Sequence, residues 1–133
     1  MERSFLFVPG NRPERFDKAC ATGAHAVVLD LEDAVAAQDK AAARSAIVAW
    51  LDAGGRGWIR MNGPESEWFA NDLPAVAHAN VAGILLPKAE DVPAIRALRH
   101  HAPGKRIVPL VESALGLSKA PEIAAQEGVE RLA

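Results

Sequence analysis

Apolar residues in this chain gather in short unbroken runs, and between them lie longer stretches in which apolar positions return every three or four residues. The runs are Phe5 to Val8, Ala26 to Leu29, Trp58 to Met61 with Arg60 inside it, Ile84 to Leu86, and Ile107 to Val111. Runs of β-branched and large apolar residues without polar alternation predict strands buried on both faces, and the stretches between them predict amphipathic helices. Strands are accordingly expected over 4–8, 26–29, 58–61, 83–86 and 107–111, with 129–133 approaching a sixth. Helices are expected over 12–21, 38–52, 67–79, 92–99 and 117–127.

Punctuation agrees with this reading. Pro9-Gly10, Gly23, Gly54-Gly55, Asn62-Gly63-Pro64, Pro103-Gly104 and Gly128 interrupt the pattern where turns are needed. Asn11 is placed to cap the first helix with Pro13 in its first turn, Asp91 or Glu90 to cap the fourth, and Pro121 to sit in the first turn of the fifth. Pro74 either kinks the third helix or starts a shorter one. The inner stripes are predicted to be Phe16, Ala19 and Cys20 in the first helix, and Ala42, Ile47, Val48 and Leu51 in the second.

Strand and helix alternating in this way is the grammar of a parallel sheet with right-handed crossovers. A doubly wound sheet shares it, but the first turn, Pro9-Gly10-Asn11-Arg12, lacks the G-x-G-x-x-G phosphate fingerprint. The (β/α)8 TIM barrel fits better, because barrel chemistry sits at the C-terminal ends of several strands. Polar residues recur there: Asn11 and Arg12, then Asp30, Glu32 and Asp33, then Arg60 and Asn62, then Lys88 and Glu90, then Glu112 and Ser113. The expected fold class is α/β of the (β/α)8 type, with about the first five βα units present. Eight units need about 200 residues or more, so the chain of 133 is expected to be part of a longer protein.

Composition narrows the function. Half the residues are apolar, which supplies one core, and a formal charge of −2 with dispersed basic residues leaves no footprint for nucleic acid. The first apolar run is too short for a signal-peptide core or a membrane span. A single cysteine, Cys20, excludes an internal disulfide and is expected to be a small buried side chain before a nucleophile; a reducing, cytoplasmic setting fits this. The histidines, His25, His78, His100 and His101, are spread over strand and helix ends and form no ligand set, and no Cys/His spacing suits zinc.

The candidate chemistry lies in the strand ends. Three carboxylates at the mouth of a core strand call for partners or a cation, although Asp30 or Asp33 can also serve as a cap. Arg60 is a permanent charge in an apolar strand and requires an anion, which Asp30, Glu32 or a bound carboxylate would supply. Lys88 is expected first in a salt bridge with Asp30 or Glu32, next as an anion binder, and last as a Schiff-base amine. Glu112 suits a cap, an ion pair or a hard metal ligand.

Five segments in register carry a family resemblance: Arg3 to Asn11 (RSFLFVPGN), Val28 to Val35 (VLDLEDAV), Ile59 to Gly63 (IRMNG), Leu85 to Lys88 (LLPK) and Pro109 to Ala114 (PLVESA). Together they resemble the citrate lyase β-subunit group of the HpcH/HpaI aldolase superfamily, over essentially the whole chain. The resemblance implies that residues 1–133 are the N-terminal portion of a single TIM-barrel lyase domain. It implies a Mg²⁺-dependent lyase that breaks or makes a C–C bond in citryl-CoA or malyl-CoA type thioesters, releasing a keto acid such as oxaloacetate. It further implies a homo-oligomer, trimer or hexamer, or membership of a citrate lyase complex. In that family Arg60 would hold the substrate carboxylate and Glu112 the metal, with Asp30, Glu32, Asp33 and Lys88 in support. A second metal carboxylate would follow Ala133. Two other readings stand beside it: an aldolase acting on free 2-keto-3-deoxy acids, and a non-catalytic half-barrel assembly module.

Overall fold

A computed structural model describes residues 2–133. Five strands, β1 (Phe5–Pro9), β2 (Ala26–Asp30), β3 (Gly57–Arg60), β4 (Val81–Leu86) and β5 (Ile107–Pro109), form one sheet. All neighbours are parallel and the spatial order is the sequence order. A doubly wound sheet must reverse its strand order at one point. Here no reversal occurs, so each βα unit is added on the same side and the sheet is of barrel type. After β5, Val129 bridges Ile107 in parallel, and the amides of Glu130 and Ala133 donate to the carbonyls of Ile107 and Pro109, which is the predicted approach to a sixth strand.

Side chains alternate across the sheet, as period-two geometry requires. Val27, Leu29, Ile59, Ile84, Leu86 and Ile107 face the helices, where they pack with Phe16, Ile47, Leu51, Ile95, Leu98 and Ile123. Ala26, Val28, Trp58, Leu85 and Val108 form a second cluster with Phe5 on the opposite, barrel-interior face. Both faces of β2 are thus buried, as its unbroken apolar run predicts. Gly83 makes the inner cluster possible, because a β-carbon there would lie 2.4 Å from the indole of Trp58. The ring lies across β4 only because that position is bare.

The helices are α1 (Phe16–Cys20), α2 (Lys40–Asp52), α3 (Phe69–Val76), α4 (Val92–His101) and α5 (Ala114–Ala124). Asp91 caps α4 through the Ala94 amide at 3.1 Å, as expected. Several other expectations are corrected. Asn11 caps nothing: Pro13–Arg15 form a 3-10 turn before α1, and no side chain bonds its first amides. Cys20 is exposed, because α1 is only five residues long and buries Phe16 and Ala19 alone. In α2 the inner stripe passes through Ala43, not Ala42, and begins at Lys40. The third helix ends earlier than expected, with Pro74 inside it. α5 starts earlier, because Ser113 accepts the Gly116 amide at 3.1 Å and nucleates the first turn. Pro121 therefore lies in the second half of α5, not in its first turn. Among the described residues no helix is long and apolar enough to cross a membrane.

Candidate functional site at the strand C-terminal ends

Register assembles the site. Pro9, Asp30, Arg60 and Leu85 are successive partners across four strands, so Asp30 and Arg60 project side by side into the barrel mouth. Arg60 Nε donates to Asp30 Oδ1 at 2.8 Å and Nη2 to Oδ2 at 2.6 Å. Phe7 lies under the guanidinium, 5.0 Å from it. The bidentate bond to Asp30, more than any other influence, raises the Arg60 pKa above its ordinary value against the effect of burial. Asp30 also accepts the amides of Glu32 at 2.9 Å and Ala34 at 3.2 Å. Its carboxylate is fully engaged, so it organises the loop and the arginine at once.

Glu32 is 5% exposed. Its Oε2 stands 3.3 Å from Arg60 Nη1 and its Oε1 3.0 Å from Lys88 Nζ, yet neither oxygen has an aligned hydrogen bond. Lys88 has φ of +50°, the left-handed region, and its amide donates to Glu112 Oε2 at 2.9 Å. Its ammonium pKa is raised, first by the contact with Glu32. Ser113 donates to Glu90 Oε1 at 2.7 Å, tying the loops after β4 and β5 together. A cleft of about 550 Å³ opens here, lined by Glu32, Asp33, Lys40, Asn62, Trp68 and Lys88 among others.

The structure thus links Asp30, Arg60, Glu32, Lys88 and Glu112 across the ends of β2 to β5, and sets Asp33 exposed on the rim. Lys88 pairs with Glu32, the first of its expected roles. None of the histidines lines the cleft. Two buried groups escaped the sequence reading. Asp72, fully buried, accepts Asn62 N at 2.8 Å, Asn62 Nδ2 at 2.7 Å and Arg44 Nε at 2.9 Å. Lys40, also buried, donates to the carbonyls of Leu31 and Glu32. A signal for both existed, since each charge stands on the apolar stripe of its own helix, Asp72 beside Phe69, Leu73 and Val76, and Lys40 in line with Ala43, Ile47 and Leu51.

Glu112 is the strand-end carboxylate expected to meet a divalent cation. It is exposed, and Oε2 receives one amide from Lys88, which leaves hard oxygen electrons toward solvent. Among the described residues no group of three or more His, Cys, Asp and Glu could hold a metal. A closed protein cage is therefore not formed among these residues, whereas a single exposed carboxylate is a donor of the kind Mg²⁺ takes, since that ion is held by one or two carboxylates and otherwise by water and substrate.

Parallel βα units added in sequence, with paired charges at the strand C-terminal ends, define a barrel of the kind whose active sites lie on that face. The chain belongs to the HpcH/HpaI aldolase/citrate lyase family, whose model matches residues 3–133. It is 42% identical over 123 residues to a citrate lyase subunit beta-like protein of Mycobacterium tuberculosis, covering 92% of this chain and 43% of that protein. It is 35% identical over 127 residues to a (3S)-malyl-CoA thioesterase of Cereibacter sphaeroides, covering 92% and 45%. Among solved structures, the citrate lyase beta subunit of M. tuberculosis complexed with oxaloacetate and magnesium superposes with a TM-score of 0.81 at 36% identity, over 96% of this chain and 55% of that one. The chain therefore spans about half the length of the relatives it matches.

Proposed function

We propose that residues 1–133 are the N-terminal portion of a single barrel domain of a Mg²⁺-dependent carbon–carbon lyase. Its substrate would be a citryl- or malyl-type CoA thioester, cleaved to, or formed from, a 2-keto acid and an acetyl-type thioester. The observation that carries this reading is the linked set Asp30, Arg60, Glu32, Lys88 and Glu112 at the barrel mouth. A relative's structure with oxaloacetate and magnesium supports it.

The residues divide the work. Asp30 occupies one edge of the Arg60 guanidinium and Phe7 one face, so the fork enters the reaction already oriented. Its Nη1 side, now opposite Glu32, is the edge that would receive the carboxylate of the keto-acid half and fix its register. Glu112 would hold the magnesium, which when bound supplies Lewis-acid polarisation of the substrate's hydroxyl or keto oxygen. In cleavage the bond between the carbinol carbon and the thioester methylene breaks. The hydroxyl proton passes to a base, the carbinol becomes the keto group, and the methylene leaves with the electron pair as an enolate that is then protonated. Lys88 and Glu32 keep the mouth close to charge balance before substrate enters. On the same reading the protein works in the cytoplasm as a homo-oligomer, trimer or hexamer, alone or within a citrate lyase complex; a citrate lyase beta subunit of Leuconostoc mesenteroides among the relatives supports the last.

The test is product analysis of the full-length protein given citryl-CoA or malyl-CoA with and without Mg²⁺. Acetyl-CoA and a keto acid, formed only with the metal, support the lyase. Free CoA with the hydroxy acid would assign thioester hydrolysis instead, the activity for which the C. sphaeroides relative is named. No turnover of either thioester sinks both readings.

A further inference from the structure

Lys40 opens α2 at 5% exposure, a position where an ammonium group is costly unless it is bonded. Its Nζ donates to the carbonyl oxygens of Leu31 at 2.7 Å and Glu32 at 2.9 Å, and the Trp68 ring covers it at 4.9 Å. Both bonds go to backbone, not to a carboxylate. Burial lowers its pKa even against the opposing pull of Asp72, Asp30, Glu32 and Asp33.

The loop it touches is the acidic turn after β2. From the other side Asp30 accepts the amides of Glu32 and Ala34, so residue 32 is gripped at its N–H by Asp30 and at its C=O by Lys40. This matters because the Glu32 carboxylate is buried and has no aligned hydrogen bond of its own. Two ion pairs, at 3.0 and 3.3 Å, draw it toward the cations, and the main chain held on both sides of residue 32 fixes where it starts from. We infer that Lys40 is a positioning residue: by holding the Leu31 and Glu32 carbonyls it keeps the Glu32 carboxylate between Arg60 and Lys88, and so sets the charge that faces the arginine edge offered to substrate. The hold on Glu32 stands on the geometry alone; its effect on substrate rests on the lyase reading.

The experiment separates the two. Crystal structures of Lys40→Met and Lys40→Arg in the full-length protein report where the Glu32 side chain lies, without any ligand. It should leave the gap between Arg60 and Lys88 in Lys40→Met and return in Lys40→Arg; a Glu32 that stays in place in Lys40→Met overturns the inference. Should Lys40→Met fail to fold, Lys40→Gln takes its place. Calorimetric binding of pyruvate with Mg²⁺ supplies the second arm. Lys40→Met should weaken binding about tenfold, the scale on which groups that orient ligands act, and Lys40→Met combined with Glu32→Gln should lose no more than Glu32→Gln alone. Additive losses would show that Lys40 acts apart from Glu32 and would overturn the inference. A wild type that binds no keto acid refutes the lyase reading, while the position of Glu32 still decides the role of Lys40.

Discussion

The two ends of this sheet are built from the same parts and finished differently. At the C-terminal end Arg60 takes a bidentate carboxylate from Asp30 and lies over Phe7; at the N-terminal end Arg106 takes a bidentate carboxylate from Glu2 and lies over Trp58, 4.7 Å away. Around Arg106 the remaining groups close on each other: Glu130 meets Nη1 at 3.2 Å, Nε reaches the Ala82 carbonyl, and Arg131 bonds the Glu2 carbonyl at 3.0 Å while covering Phe5. Around Arg60 they do not. Glu32 remains without an aligned bond, and Glu112 and Asp33 face solvent. An arginine in a barrel is therefore not a site by itself; what separates a structural plug from a binding mouth is whether the surrounding charges satisfy one another.

That contrast can be broken most severely at Arg60. Arg60→Ala should lower kcat/KM by roughly a hundredfold or more through lost substrate alignment. In urea unfolding it should also cost about 3–5 kcal/mol, because Asp30 is left buried with half its partners gone. Arg106→Ala should leave turnover intact and lower stability by no more than about 1 kcal/mol, the range of half-exposed pairs. Asp72→Ala comes next: the Asn62 amide and the Arg44 guanidinium lose a fully buried acceptor, and urea unfolding should register a loss of about 3 kcal/mol. Glu112→Gln should weaken Mg²⁺ binding by about tenfold in calorimetry and move the thermal midpoint little, since the side chain is exposed. The smallest effect belongs to the N-terminal end and appears only in acid. Hydrogen bonding to Arg106 holds the Glu2 pKa below its usual 4.5, so this pair stabilises the fold above that pH and the contribution is lost as pH falls through the lowered value. Glu2→Gln should remove that part of the acid limb in a pH series of thermal melts and leave neutral activity unchanged.

Much of this was legible in the residues. The unbroken run at β2 predicted a strand buried on both faces, and the repetition of polar residues after each strand located the mouth that Asp30, Arg60, Lys88 and Glu112 form. What was hidden depends on contacts between distant segments. Asp72 and Lys40 stand on the apolar stripes of their helices, but their partners appear only once α3 packs against the turn after β3 and the acidic loop folds over α2. Glu2 and Arg106, 104 positions apart, meet only when the sheet curves. Cys20 failed for a local reason: a helix of five residues has too few turns to bury a full stripe.

Residue 88 shows how narrow the route to such a mouth is for mutation. Its backbone lies where glycine is at ease and a lysine is strained by about 1 kcal/mol, while its side chain supplies the cation opposite Glu32. The two demands select different amino acids. Lys88→Gly would relax the turn and keep the amide that meets Glu112, but it would erase the charge. Arginine would keep the charge and asparagine would ease the backbone, but neither does both. A position under opposed selection of this kind has few neutral neighbours in sequence space, so drift should be slow there even while the adjoining loop residues vary.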